Sequence, residues 1–106
     1  MSGRGSAAGR KDDAGKPRWD LLPWRELEAV VDVLTYGADK YADNGWQEVP
    51  APINRYFAAA LHHVSAYRQG EDLDPDSGLP HLAHAICSLL FVEWHEAHEW
   101  RRGVDR

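Results

Sequence analysis

Apolar residues from Leu27 onward recur at intervals of three and four: Leu27, Val30, Val31, Leu34, Ala38 and Tyr41. That period predicts an amphipathic helix opening near Pro23, whose fixed φ suits a first turn, and stopped by Asp43, Asn44 and Gly45. Gly37 lies inside it at a modest cost in propensity. The segment from Gln47 to Pro52 holds two prolines and reads as a connecting loop. A second helical stripe follows from about Ile53 through Tyr56, Phe57, Ala60, Leu61, Val64 and Tyr67, with Gly70 as its stop. A third helix is expected after Ser77 or Gly78, capped by Asp76 or Ser77. Its broad apolar band of Leu79, Leu82, Ala83, Ile86, Leu89, Leu90 and Trp94 runs on to about Trp100. No strand-like alternation and no internal repeat is present, so the expected fold is all-α, a small helical bundle of three main helices.

Residues 1–16, MSGRGSAAGRKDDAGK, carry no large apolar residue beyond the initiator and read as a flexible N-terminal arm. Residues 17–106 then form one all-α domain. Where this domain begins, Trp19, Leu21 and Leu22 are expected to anchor the entering chain.

Composition narrows the class of protein. A chain of 106 residues buries only a modest core, and five tryptophans supply aromatic surface for a core or an interface. A homo-oligomer is therefore expected. The net charge of −5 argues against general affinity for DNA, RNA or a membrane surface, which needs clustered Lys and Arg. Cys87 stands alone among apolar residues, which excludes an internal disulfide and fits a reducing cytoplasm. The sequence contains neither an apolar run of spanning length nor a signal-peptide pattern, so the expected location is cytoplasmic.

The richest chemistry lies in residues 62 to 84, HHVSAYRQGEDLDPDSGLPHLAH. His81 and His84 are three apart, which on a helix stacks them on one face. A short loop brings the end of the second helix back to them, so His63, Glu71, Asp74, His81 and His84 are expected to converge as metal ligands. Mixed imidazole and carboxylate donors suit manganese, iron, zinc or cobalt, whereas magnesium favours oxygen. A calcium loop is excluded: counted from Asp72, the sixth position is Ser77 rather than glycine and the twelfth is Ala83 rather than glutamate. His62 falls on a different face, and His95 and His98 lie too far along the third helix for the same ion, reading as exposed or interface histidines.

The second set is basic. Lys16, Arg18, Lys40 and Arg55 are candidates to neutralise phosphate oxygens opposite such a metal, with Lys40 and Arg55 facing a pocket shared with Trp46. Trp46 offers a face on which a base can stack. Scattered cations and tryptophans also serve as solvated surface and core packing, and that plainer role stays open for each of them.

Three blocks together, KDDAGKPRWDLLP, YGADKYADNGW and RYFAAALHHVSAYRQGEDLDPDSGLPHLAHA, resemble a family of phage and phage-derived proteins named for dATP/dGTP diphosphohydrolase activity. The resemblance covers about Lys11 to Glu93. That family looks like a branch of the all-α, MazG-like nucleoside triphosphate pyrophosphohydrolases, which implies a divalent cofactor, Mg2+ or Mn2+ foremost with another transition metal as alternative. It also implies a small-molecule nucleotide substrate, cut between the α and β phosphates to give monophosphate and pyrophosphate. On this reading Asp72 is the candidate base for the attacking water. The chain departs from the usual E-x-x-E and E-x-x-D signature, since His81-Leu-Ala-His84 stands where the second acidic pair would sit. The expectation is a metal site rebuilt from histidines and loop acids. The alternatives are a non-catalytic helical module that binds nucleotide or metal, and another His/Asp metal phosphohydrolase.

Overall fold

A computed structural model describes residues 15–101, so most of the expected N-terminal arm lies outside the described residues. Three α-helices dominate: α1 over Trp24–Lys40, α2 over Pro52–Arg68 and α3 over His81–Arg101. Short 3-10 turns at Trp19–Leu21 and Gly45–Glu48 precede α1 and α2. The only extended pairing among the described residues is an isolated bridge between Leu73 and Pro80, so the fold is all-α.

The helix ends follow their sequence signals closely. Pro52 occupies the first turn of α2, where its missing N–H leaves no bond unmade. At the other end Gly70 takes a φ of 102°, which lets Glu71 N–H reach the Ala66 carbonyl and Gly70 N–H the Tyr67 carbonyl, both at 3.0 Å. That paired arrangement is a Schellman motif, and it delivers Glu71 at a fixed place just beyond α2.

The expected start of α3, after Ser77 or Gly78, is corrected by two or three residues. Asp76 and Ser77 do not cap it, because residues 74–80 fold on themselves first. Asp74 N–H bonds the Leu79 carbonyl at 2.8 Å, Gly78 N–H bonds the Asp74 carbonyl at 2.7 Å, and Ser77 N–H bonds the Asp74 carboxylate at 2.9 Å. Gly78 supplies the positive φ this turn requires. Pro80 then precedes His81, the first residue of α3, whose N–H is taken by the Asp72 carbonyl at 2.9 Å.

Helix α3 is the central element, packed along α2 on one side and α1 on the other. Val30 and Val33 of α1 meet Ala83 and Cys87 of α3, with Leu27, Leu79 and Phe91 closing around them. Ala60 and Ala85 are also fully buried. Small side chains thus fill the middle, which lets helices approach closely. Larger ones lie outward: Phe57, Leu61 and Val64 on α2 and Leu82, Ile86, Leu89 and Leu90 on α3 remain 40–54% exposed. Trp19 and Leu21, expected to anchor the entering chain, are exposed as well, at 67% and 66%. Burial pushes the Cys87 thiol up to about 11, so it serves as a small hydrophobe.

Candidate metal centre

The corner where α2, the 71–80 loop and α3 meet is built around His81. It is the largest fully buried side chain, 1% exposed, although it opens a helix. Both of its ring nitrogens are engaged: Nε2 lies 2.6 Å from Glu71 Oε1 and Nδ1 lies 2.8 Å from His63 Nδ1. A carboxylate oxygen accepts from Nε2–H, which leaves Nδ1 as the nitrogen that faces His63. A carboxylate behind an imidazole is the arrangement that orients a metal-ligating histidine.

Asp74 completes the convergence. One of its carboxylate oxygens and one nitrogen each of His63 and His81 all lie within 4.8 Å of one another. His84 flanks the group, its ring stacked on His63 at 4.6 Å and its Nε2 standing 2.7 Å from Ser77 Oγ and 4.0 Å from Asp74 Oδ2. The donor set fits a borderline transition ion better than magnesium, because it is rich in imidazole.

Electrostatics favour the ligating forms. His63 is lowered from 6.5 to about 4, first by burial and then by the neighbouring His84 and His81, against the opposing pull of Asp74. Burial likewise lowers His84, assisted by His81 and opposed by Asp74. For Asp74, burial acts to raise it, but the Ser77 amide and hydroxyl with His84 and His63 outweigh that and hold it below the ordinary carboxylate value. Neutral imidazoles beside an ionised carboxylate are the species a cation binds.

The five expected ligands are therefore brought together, but in different roles. His63, His81 and Asp74 converge directly. Glu71 stands behind His81, and His84 stands beside Asp74. Asp72 contributes its backbone carbonyl to His81 N–H, and its exposed carboxylate is not among the converging groups. Two further residues escaped the sequence reading. Ser77 ties Asp74 to His84, and its signal was the Asp-x-x-Ser spacing of a side-chain-capped turn. Tyr36 of α1 meets the edge of His84 with ring centroids 6.4 Å apart.

The basic candidates are dispersed. Lys40 holds its ammonium over the rings of Tyr41 and Tyr36, at 5.3 and 5.7 Å. Its pKa is raised, chiefly by a side-chain hydrogen bond with Tyr41. Arg18 donates twice to Asp20, at 2.9 and 3.1 Å, and Lys16 is exposed. Arg55 and Trp46 line a cavity of about 510 Å3, whereas Lys40 does not. Trp46 is itself packed, stacked on Phe91 at 4.2 Å and 12° with Trp94 at its edge. The expectation that His95 is an exposed or interface histidine is corrected, since the chain's own fold buries it. It is 6% exposed, and its Nε2–H donates to the Trp46 carbonyl at 3.0 Å.

Comparisons with known proteins point to one family. A family model described as dATP/dGTP diphosphohydrolase, N-terminal, matches residues 6–105. A curated relative, "dATP/dGTP diphosphohydrolase" of Salmonella phage PMBT28, is 37% identical over 86 residues, covering 81% of this chain and 29% of its own length. The chain thus spans less than a third of that relative. No solved structure matches. No helix among the described residues is long and apolar enough to cross a membrane. With the family model spanning nearly the whole sequence, the chain belongs to the dATP/dGTP diphosphohydrolase N-terminal family.

Proposed function

We propose that this chain hydrolyses purine deoxynucleoside triphosphates, dATP and dGTP, to the monophosphate and pyrophosphate in a metal-dependent reaction. The observation that carries the reading is the convergence of His63, His81 and Asp74, with Glu71 fixing the His81 tautomer from behind. The substrate class follows from the name of the phage relative.

His63, His81 and Asp74 would hold a divalent cation, Mn2+ or another transition ion being the better match for this donor set. Such an ion supplies Lewis acidity to a phosphoryl oxygen and acidifies water. Asp72, exposed two residues before Asp74 on the same loop, would take the proton from the attacking water. The water oxygen bonds to the α phosphorus, the bond from that phosphorus to the α–β bridging oxygen breaks, and pyrophosphate departs with the bridging oxygen. Lys16, Arg18 and Lys40 would offset the phosphate charge, while Arg55, which was expected among them, lines the cavity beside Trp46. Of these, Lys40 lies on the α1 flank beside Tyr36, the residue that touches His84. The decisive experiment incubates the protein with each dNTP and Mn2+ or Mg2+ and resolves the products. Monophosphate with pyrophosphate supports the reading, and nucleoside with triphosphate sinks it. Absence of turnover, with nucleotide and metal still bound, replaces it with a binding module.

The same reading includes a second copy of the chain. The large apolar side chains left outside on α2 and α3 make a surface that a monomer rarely presents to water. Light scattering on the eluting protein should give a multiple of 12.0 kDa, and Ile86→Glu should reduce it. A monomeric wild type removes this part of the proposal.

A further inference from the structure

The cavity beside Trp46 is chemically unlike the histidine corner. Its walls are apolar, with Ala38 from α1, Trp46 from the 3-10 turn and Phe91 from α3, and Arg55 is the single charged residue in its lining. A volume of about 510 Å3 is that of a small-molecule site, in the range of about 300–1,000 Å3. A triphosphate would meet one cation there and an apolar wall that penalises its charge. A flat, neutral ring suits it better, because Trp46 and Phe91 already form a stack that another ring can extend.

The position of the cavity ties it to the metal centre. Phe91 follows His84 by two turns of α3, on nearly the same face and about 10 Å further along. Independently, Tyr36 meets His84, and the next residues of α1, Gly37 and Ala38, line the cavity. One molecule with a ring at one end and phosphates at the other can occupy both.

We propose that this cavity is the purine subsite and that Asn44 and Arg55 read the base, an inference that rests on the nucleotide hydrolase reading above. Asn44 lines the cavity in the left-handed conformation, φ 56°, and its side chain makes no cap bond to the turn it opens. Its amide N–H matches N7, which adenine and guanine share and pyrimidines lack. Its carbonyl oxygen matches the adenine N6 amine, and the Arg55 guanidinium matches guanine O6. Two readers with complementary preferences accept both purines. His95 and Tyr56 set the wall they work against, since both approach the Trp46 carbonyl, at 3.0 and 3.5 Å.

The test is titration calorimetry of the full chain with dAMP, dGMP, dCMP and dTMP in the presence of a chelator. Wild type should bind both purines at least about tenfold more tightly than the pyrimidines, as loss or gain of a stacked, hydrogen-bonded base implies. Gly37→Leu is the blocking variant: a Cβ there meets nothing within 4 Å, so the side chain enters open space while helix propensity improves. It should stay folded by circular dichroism, keep its Mn2+ affinity and lose purine affinity by at least about tenfold. Asn44→Ala should bring the purine-to-pyrimidine ratio toward unity. Undiminished purine affinity in Gly37→Leu, or a wild type without purine preference, overturns the subsite. If wild type releases pyrophosphate and Gly37→Leu keeps its KM, the subsite fails while the hydrolase stands. If wild type binds purines, loses them in Gly37→Leu and releases no pyrophosphate, the subsite stands and the hydrolase fails.

Discussion

Two buried histidines on one helix, His81 and His95, are held in opposite ways. At His95 a single ring nitrogen donates to a peptide carbonyl, that of Trp46, and the ring lies stacked against Tyr56. Every atom in that contact is satisfied by the fold, so the residue pins a loop. At His81 a carboxylate claims one nitrogen and a second imidazole faces the other at 2.8 Å. Two basic nitrogens at that separation need something positive between them, a proton or a cation. On the metal reading proposed above, the difference teaches that burial alone does not mark a functional histidine; the partner of its second nitrogen does.

Breaking the comparison at its chemical end gives the largest effect. His81→Ala should weaken Mn2+ binding by more than about 100-fold, beyond the loss typical of outer partners, and abolish pyrophosphate release while the helical signal persists. Retained metal binding would return His81 to a structural role. Glu71→Gln is gentler, since the amide can still accept from Nε2 but no longer with a full charge. Metal affinity should fall by about 10- to 100-fold, measured by competition with a chromophoric chelator.

At the structural end, His95→Ala removes a buried hydrogen bond and leaves a void, for about 2–4 kcal/mol of stability. Denaturant unfolding would register that loss, and metal stoichiometry should not change. A His95→Ala protein of full stability would erase the contrast. The smallest effect is in pH. Because folding lowers His63 from 6.5 to about 4, the unfolded chain binds a proton in that interval that the native state refuses. Stability of the metal-free protein is therefore complete above about pH 6.5 and declines toward about pH 4, and the lowered Asp74 extends the decline to still lower pH. Urea midpoints that stay level across that interval would contradict it, and His63→Gln should flatten part of the slope.

The three helices were legible because each carries a 3.6-residue apolar period and a proline or glycine at a boundary. Gly70 announced a stop whose Schellman geometry follows from its freedom at positive φ. The start of α3 was less legible, because Asp74 and Ser77 satisfy backbone groups inside their own turn instead of capping the helix. In the site, the i, i+3 spacing of His81 and His84 correctly implied neighbours. It could not separate the groups that converge from those that stand behind them, since Glu71 and Asp74 are both acids in one short loop. His95 was misread for a different reason: its partner carbonyl lies 49 residues away, a pairing that no local pattern encodes.

The bundle's centre of alanines, valines and a cysteine has a further consequence. On the two-copy reading, much of the apolar surface that drives folding is covered by encounter rather than by the chain itself. Dilution then acts on this protein as a denaturant does, and its melting temperature climbs with its own concentration.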